Sequence, residues 1–230
     1  MGQEAAENVN YPISSLLASD PRSEIIAIAD PPPANYHDTS FWLVSSATLQ
    51  QQHIDTLLNR SVSALAVGDI DGDGQADALA IERSSTLLDA QIWVQREAHF
   101  IREDMLSTRV SQLLNTIPVE QDQDRGILIT RTPVGVALTD MDQDGHLDIL
   151  LLSRQQGKKS PLDLAVHLLL NLGDGNLAGP IGVPLPDNIH NDFRFADAQL
   201  MAADINGDGA PDLVLTAFGG PIAIVRQLSK

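Results

Sequence analysis

The sequence of 230 residues contains no cysteine and few aromatic residues, which make up 4% of the chain. Without cysteine it has neither a disulfide framework nor a thiolate metal site. Basic residues are also scarce: 14 lysines and arginines stand against 31 acidic residues, for a formal net charge of −17. Such a chain repels nucleic acid phosphates and attracts cations, so we expect no nucleic acid partner.

Long apolar runs are absent as well. None approaches the roughly 20 residues of a membrane span, so no membrane span is predicted. The first four residues, 1–4, lack the basic start and apolar stretch of a signal peptide. Hydrophobic residues nevertheless make up 43% of the chain. That fraction is enough to build the core of one domain or of an array of repeats.

An acidic pattern occurs three times, at residues 69–77, 140–148 and 204–212. Each copy reads Asp-x-Asp/Asn-x-Asp-Gly-x-x-Asp and lies between two short apolar stretches. Strand, acidic loop and strand is the predicted arrangement, and two more apolar runs can follow each hairpin. Four short strands in a repeat of about 60 residues match one blade of a β-propeller in size.

The predicted fold class is therefore all-β, with about four four-stranded propeller blades. Their approximate limits are 11–60, 61–106, 126–180 and 196–230. The first blade, whose first strand is predicted at 13–17, keeps only two acids of its loop, Asp20 and Glu24, and no metal site is expected there. Residues 1–10 are predicted to form a flexible tail. Residues 107–125 match no strand of the repeat and are predicted to be an insertion with one helical turn or more.

The three loops have the chemistry of calcium sites. Ca²⁺ takes six to eight oxygen ligands, and alternating acids at loop positions 1, 3 and 5 place carboxylates on one side of a tight turn. The backbone carbonyl at position 7 and the acid at position 9 complete the set. The predicted ligands are Asp69, Asp71, Asp73, Gln75, Asp77, Asp140, Asp142, Asp144, His146, Asp148, Asp204, Asn206, Asp208, Ala210 and Asp212.

The same spacing begins an EF-hand loop, which also requires a bidentate Glu at position 12 and a helix on each side. Position 12 is Ala80, Leu151 or Leu215 here, and the flanks are short and apolar, so an EF-hand is excluded. About three structural Ca²⁺ ions are expected. The third site should be the weakest, because Asn206 replaces a carboxylate.

These loops, together with the segment 169–180 (LLNLGDGNLAGP), resemble the FG-GAP / VCBS repeat family. Its calcium-loop blades occur in integrin α-subunit propellers and in many bacterial secreted proteins. The resemblance is good over residues 60–227 and poor over 11–58. It implies a structural calcium ion in each loop and a ring of about seven blades. It also implies that the loops contact proteins or glycans, or that the domain sits beside a catalytic domain.

Two functions follow from this resemblance. The first is a non-enzymatic extracellular scaffold for protein interaction or adhesion, and the alternative is a carbohydrate-binding or polysaccharide-degrading-enzyme-associated module. No nucleophile elbow, zinc helix or phosphate-binding glycine loop is present, so no enzyme is predicted. Trp42 and Trp93 take matching places in their blades, which favours packing over sugar stacking.

Location and assembly are expected to follow from the loops and the blade count. Loops without the bidentate Glu suit millimolar calcium, which predicts an extracellular or cell-surface protein whose export signal is not in this sequence. About four blades are fewer than the family's ring. The ring could be completed in three ways: by further blades from a longer chain, by association with a second copy, or by closure of four blades with help from the first dozen residues.

Overall fold

The computed structural model describes residues 13–17, 24–29, 39–45, 51–57, 62–84, 87–97, 99–117, 121–122, 127–128, 130–156, 163–185, 198–217 and 222–226. Most of these residues lie in antiparallel strands, so the all-β prediction is confirmed. The predicted tail, residues 1–10, lies outside the described residues. Within the described ranges, no helix is long and apolar enough to cross a membrane.

The chain divides into two compact units, Met1–Ser61 and Val62–Lys230. The first unit contains a single described sheet, in which each strand pairs with the next along the chain. Its first strand begins and ends where the sequence predicted. The four strands are β1 (Ile13–Leu17), β2 (Glu24–Ala29), β3 (Thr39–Ser45) and β4 (Gln51–Leu57).

Among the described residues, the second unit contains two four-stranded sheets, one three-stranded sheet and a pair of short strands, and the first three are again antiparallel meanders in chain order. Sheet two consists of β5 (Val62–Gly68), β6 (Asp77–Ser84), β7 (Leu87–Arg96) and β8 (His99–Arg102). Two short strands, β9 (Gln121–Asp122) and β10 (Ile127–Leu128), pair with each other. Sheet three consists of β11 (Thr130–Thr139), β12 (Asp148–Gln156), β13 (Asp163–Asn171) and β14 (Leu177–Val183).

Sheet four has three strands among the described residues: β15 (Ala198–Ala203), β16 (Asp212–Ala217) and β17 (Ile222–Val225). Sheets two, three and four pack against one another through their faces, as the strand β12 illustrates. Residues 149–152 read Ile-Leu-Leu-Leu, and all four are completely buried. Ile149 and Leu151 pack toward sheet two, whereas Leu150 and Leu152 pack toward sheet four. A strand covered on both faces is continuously apolar instead of alternating.

One helix, α1 (Asp104–Leu114), follows sheet two and overlaps the predicted insertion, beginning three residues before it. Its polar side chains accept hydrogen bonds from strand β7. Ser107 Oγ lies 2.9 Å from the Ile92 nitrogen, and Ser111 Oγ lies 2.8 Å from the Ala90 nitrogen. Strand β8 pairs only with the last four residues of β7. The helix therefore satisfies backbone groups that a longer neighbouring strand would otherwise bind.

Candidate metal sites

The three acidic loops occupy the same place in their sheets. Each joins the first strand to the second, between β5 and β6, between β11 and β12, and between β15 and β16. In the first loop the chain turns through Gly72 and Gly74, whose φ angles are +79° and +84°. A side chain is strained in that conformation, which explains the glycines. At the place of Gly72, the second loop has Gln143 with φ of +64°.

The first aspartate of each loop binds backbone N–H groups of its own turn. Asp69 Oδ1 accepts a hydrogen bond of 2.8 Å from Gly72, and Oδ2 accepts one of 2.8 Å from Gly74. The Oδ2 atoms of Asp140 and Asp204 likewise accept from the glycine at position 6, whereas Oδ1 accepts from Asp144 in the second loop and from Gly207 and Asp208 in the third. These bonds hold the carboxylate inside the turn, where its remaining lone pairs can face a cation.

The last aspartate of each loop, Asp77, Asp148 or Asp212, is completely buried. Asp77 Oδ2 accepts a 2.9 Å bond from the Ile70 nitrogen, while Oδ1 accepts a 2.9 Å bond from the Gln95 nitrogen on β7. Asp148 connects its loop to β13 in the same way. In these two loops the last aspartate, predicted as a ligand, therefore also clamps the loop onto the third strand of the sheet.

Carboxylate oxygens converge in two of the loops. In the first, one oxygen each from Asp69, Asp71 and Asp77 lies within 4.8 Å of the others, and in the second Asp140, Asp142 and Asp148 do the same. Loop positions 1, 3 and 9 are thus brought together. Three hard oxygen ligands in so small a volume suit a divalent cation such as Ca²⁺ or Mg²⁺.

The acid at position 5 is not in either group. Asp73 Oδ1 accepts a 2.8 Å bond from the Gln75 nitrogen, and Asp144 Oδ1 accepts a 2.9 Å bond from the His146 nitrogen. Each of these acids therefore holds the residue predicted to supply the carbonyl ligand. Ala210, the third residue predicted to offer its carbonyl, donates its nitrogen to Asp208 in the same way at 2.9 Å.

The third loop differs from the other two. The Asn206 amide donates a 3.0 Å hydrogen bond to Asp208 Oδ2, which binds one ligand candidate to another. Among the described residues, no group of three convergent acids forms there, because an amide stands at position 3. Its low calcium affinity stays a prediction.

Burial disfavours the ionised form of Asp77 and Asp148, the last aspartates of the first two loops. Desolvation raises the pKa of Asp77 to about 6, although the hydrogen bonds from the Gln95 and Ile70 nitrogens lower it. Desolvation also raises the pKa of Asp148, and the nearby charges of Asp142 and Asp144 add to that shift. A cation bound between the carboxylates would offset both effects, since it favours the ionised form.

Three side chains near the loops were not found from the sequence. Arg96 forms ion pairs with Asp71 and Asp73, at the rim of the first loop. The Asn171 amide donates to the Ile70 carbonyl at 2.9 Å. The Gln143 amide donates to the Gly209 carbonyl at 2.8 Å and so links the second loop to the third. Each joins segments far apart in the chain, and the loop pattern carries no signal for such contacts.

Comparison with known families agrees with part of the sequence interpretation. Residues 140–215 match the family model described as FG-GAP-like repeat. The match begins at the first aspartate of the second loop and ends within β16, and it covers one third of the chain. It supports the FG-GAP part of the predicted resemblance. No curated protein matches this sequence.

Proposed function

We propose that this chain is a calcium-stabilised β-propeller repeat domain that acts, without catalysis, as an extracellular scaffold for protein interaction or adhesion. The observation that carries the proposal is the convergence of carboxylate oxygens at Asp69, Asp71 and Asp77 and at the equivalent acids of the second loop. The FG-GAP-like match across the second and third loops supports it. The stacking of sheets two, three and four supports blade-like packing.

The ions have a structural role in this proposal. The first two loops are each tied to the third strand of their sheet by a buried aspartate, so a cation bound there holds the first three strands of the sheet together. Folding is then linked to calcium by mass action. The loops suit the millimolar calcium found outside cells, which is why we place the protein there.

Calorimetric titration with Ca²⁺ tests the metal sites. We expect up to three ions, and in the Asp142→Asn variant we expect the loss of one of the two tighter sites, because the second loop then has an amide at position 3, as the third loop does. Asp174→Asn is the matched control, because Asp174 is an exposed acid in the turn between β13 and β14 and lies outside the three loops. Zero sites or one in the unaltered chain contradict the proposal. Melting in excess chelator should occur well below melting in millimolar calcium.

The scaffold role is tested against the carbohydrate alternative. Trp93 is only 2% exposed, so it packs inside the fold and offers no stacking surface for a sugar. We therefore expect saturable, calcium-dependent binding to an immobilised panel of extracellular proteins, and no binding to a glycan array. Glycan binding without protein binding would favour the carbohydrate-binding module instead.

Sheet four supports the proposal that further blades complete the ring. Met201, Ile222 and Ile224 share one face of this sheet and are 54%, 69% and 44% exposed. The opposite face packs on sheet three. An open apolar face of this kind is normally covered in a folded assembly. A blade from a longer chain or from a second copy would cover it.

A further inference from the structure

The guanidinium of Arg96 lies against the first acidic loop. One of its nitrogens pairs with Asp71 Oδ2, and the other lies 2.7 Å from Asp73 Oδ2. Its side chain is 44% exposed, whereas those of the two aspartates are 23% and 29% exposed. A side chain from strand β7 therefore engages the acids at loop positions 3 and 5.

The backbone explains why Arg96 reaches the loop. Asp77 accepts a hydrogen bond from the Gln95 nitrogen, which fixes the end of β7 beside the acids. Sheet three has the same arrangement, because Asp148 accepts a hydrogen bond from the Asn171 nitrogen. The residue after Asn171 is Leu172, which is apolar and 52% exposed. The last aspartate thus makes the same kind of bond to the third strand in both sheets. The residue after its bonding partner is a cation, Arg96, only in sheet two.

Arg96 and a metal ion would compete for the same carboxylate. Asp71 is one of the three acids whose oxygens converge, and the guanidinium holds its Oδ2. A guanidinium keeps its charge at any pH at which the protein is folded, so the competing charge is permanent. A divalent ion placed beside it also meets direct repulsion between like charges.

We propose that Arg96 is an intramolecular counter-ion for the Asp69 loop, which keeps this loop ordered without metal and makes it bind calcium more weakly than the Asp140 loop. This inference rests on the proposed function, because it assigns different calcium dependence to two sites of the same kind. Calcium must displace the guanidinium from Asp71 to gain that oxygen. The Asp140 loop, with Leu172 at the equivalent place, has no guanidinium there, so calcium is expected to stabilise it more than it stabilises the Asp69 loop.

Removal of the charge by Arg96→Gln should move two readouts in opposite directions. In chelator, we expect the melting temperature to fall by about 2 to 4 °C, because the loop loses its counter-ion. Calcium affinity of the Asp69 loop should rise by about threefold to tenfold. The affinity is measured by calorimetry in a background with Asp142→Asn and Asp208→Asn, in which the Asp69 loop is the intact site. Loss of a merely structural contact would lower both quantities.

The reciprocal variant, Leu172→Arg, installs a guanidinium beside the Asp140 loop. In a background with Asp71→Asn and Asp208→Asn, it should lower the calcium affinity of the Asp140 loop by a similar factor. The matched control for Arg96→Gln is Arg102→Gln, because Arg102 is 43% exposed and pairs with Asp104, outside the loops. It should leave the calcium affinity of both loops unchanged.

The outcomes separate this inference from the proposed function. If calcium binds but Arg96→Gln leaves the affinity of the Asp69 loop unchanged or lowers it, the inference is overturned and the proposed function stands. If the unaltered chain binds no calcium in any loop, the proposed function fails and the inference fails with it. Tighter binding in Arg96→Gln together with weaker binding in Leu172→Arg supports the inference.

Discussion

The aspartate that closes each of the first two loops accepts hydrogen bonds from backbone N–H groups on both of its oxygens, in addition to its place in the candidate metal site. In Asp77, Oδ2 accepts from the Ile70 nitrogen and Oδ1 accepts from the Gln95 nitrogen. An asparagine would turn an NH₂ group toward one of these donors. A carboxylate therefore matches both donors as well as a metal ion, although burial disfavours its charge and raises its pKa to about 6.

This conflict predicts a pH dependence for the metal-free protein. The pKa of Asp77 rises from 3.8 in the reference state to about 6 in the folded state, so the folded chain binds the extra proton between these values. The corresponding stabilisation is present below the lower pKa and is lost as the pH rises through the higher one. In chelator, the advantage of the wild-type chain over Asp77→Asn should shrink by as much as about 3 kcal/mol as the pH rises from about 4 to 7.

Urea unfolding of both chains across this range measures the difference. With saturating calcium the sign should reverse, because the metal binds only the ionised carboxylate and gains affinity as the pH rises. An advantage of the wild-type chain that grows with pH in chelator would contradict the assignment of a raised pKa to Asp77.

At the scale of elements, helix α1 replaces a strand at the edge of sheet two. The Asn115 side chain, at the end of the helix, forms a pair of bonds with Leu88: its Oδ1 accepts at 3.0 Å from the nitrogen, and its Nδ2 donates at 2.7 Å to the carbonyl. Asn115→Ala leaves both backbone groups without this partner. We expect a loss of about 1 to 3 kcal/mol in the free energy of unfolding, measured by urea denaturation.

Gln112→Ala is the control for this variant, because Gln112 is exposed on the same helix. It should change the free energy of unfolding by less than about 0.5 kcal/mol. Equal effects of the two substitutions would contradict a specific role for the bonds to Leu88.

Sheets two and three are joined by Asn171 at the end of β13. Its backbone nitrogen binds Asp148, and its buried amide donates to Ile70 at the start of the first loop. Asn171→Ala removes the side-chain bond and leaves the Ile70 carbonyl buried without it. We expect a loss of about 1 to 3 kcal/mol and weaker calcium binding at both of the first two loops. Asn176→Ala, at an exposed position, should change neither quantity, and calcium binding that is unaffected in Asn171→Ala would contradict the coupling.

Local features of this fold were predictable from the sequence, whereas contacts between distant segments were not. The first strand at Ile13–Leu17 and the three loops follow from apolar runs and from a pattern nine residues long. The bond between Asn171 and Ile70 joins residues 101 positions apart, and the pairing of Arg96 with Asp71 spans 25 positions. Such contacts depend on how sheets stack and where strands end, which a loop motif does not encode.

The role of Asp73 illustrates the same limit within a loop. Spacing alone assigns positions 1, 3 and 5 to the metal, because all three are acids on one side of a turn. In the structure Asp73 binds the Gln75 nitrogen, the Gln75 amide and Arg96. A neighbouring strand thus supplies one of its partners, which the loop pattern does not encode, and the ligand role of Asp73 stays a prediction.

At the scale of the whole molecule, the apolar face of sheet four determines the expected assembly of the isolated chain. Met201, Ile222 and Ile224 lie together on it, so association through this face removes apolar surface from water. We expect the 230-residue chain to form dimers or larger species in sedimentation velocity experiments with calcium present. The double variant Met201→Asp and Ile222→Asp should shift the distribution to monomer without lowering the melting temperature.

Ile101→Asp is the matched control for this shift, because Ile101 is 52% exposed on β8 of sheet two. It introduces the same charge at a comparable exposure but leaves the face of sheet four intact, so the association should persist. A wild-type chain that sediments as a monomer at all accessible concentrations would reject association through this face. Dimers that the double variant leaves unchanged would place the contact between copies elsewhere on the molecule.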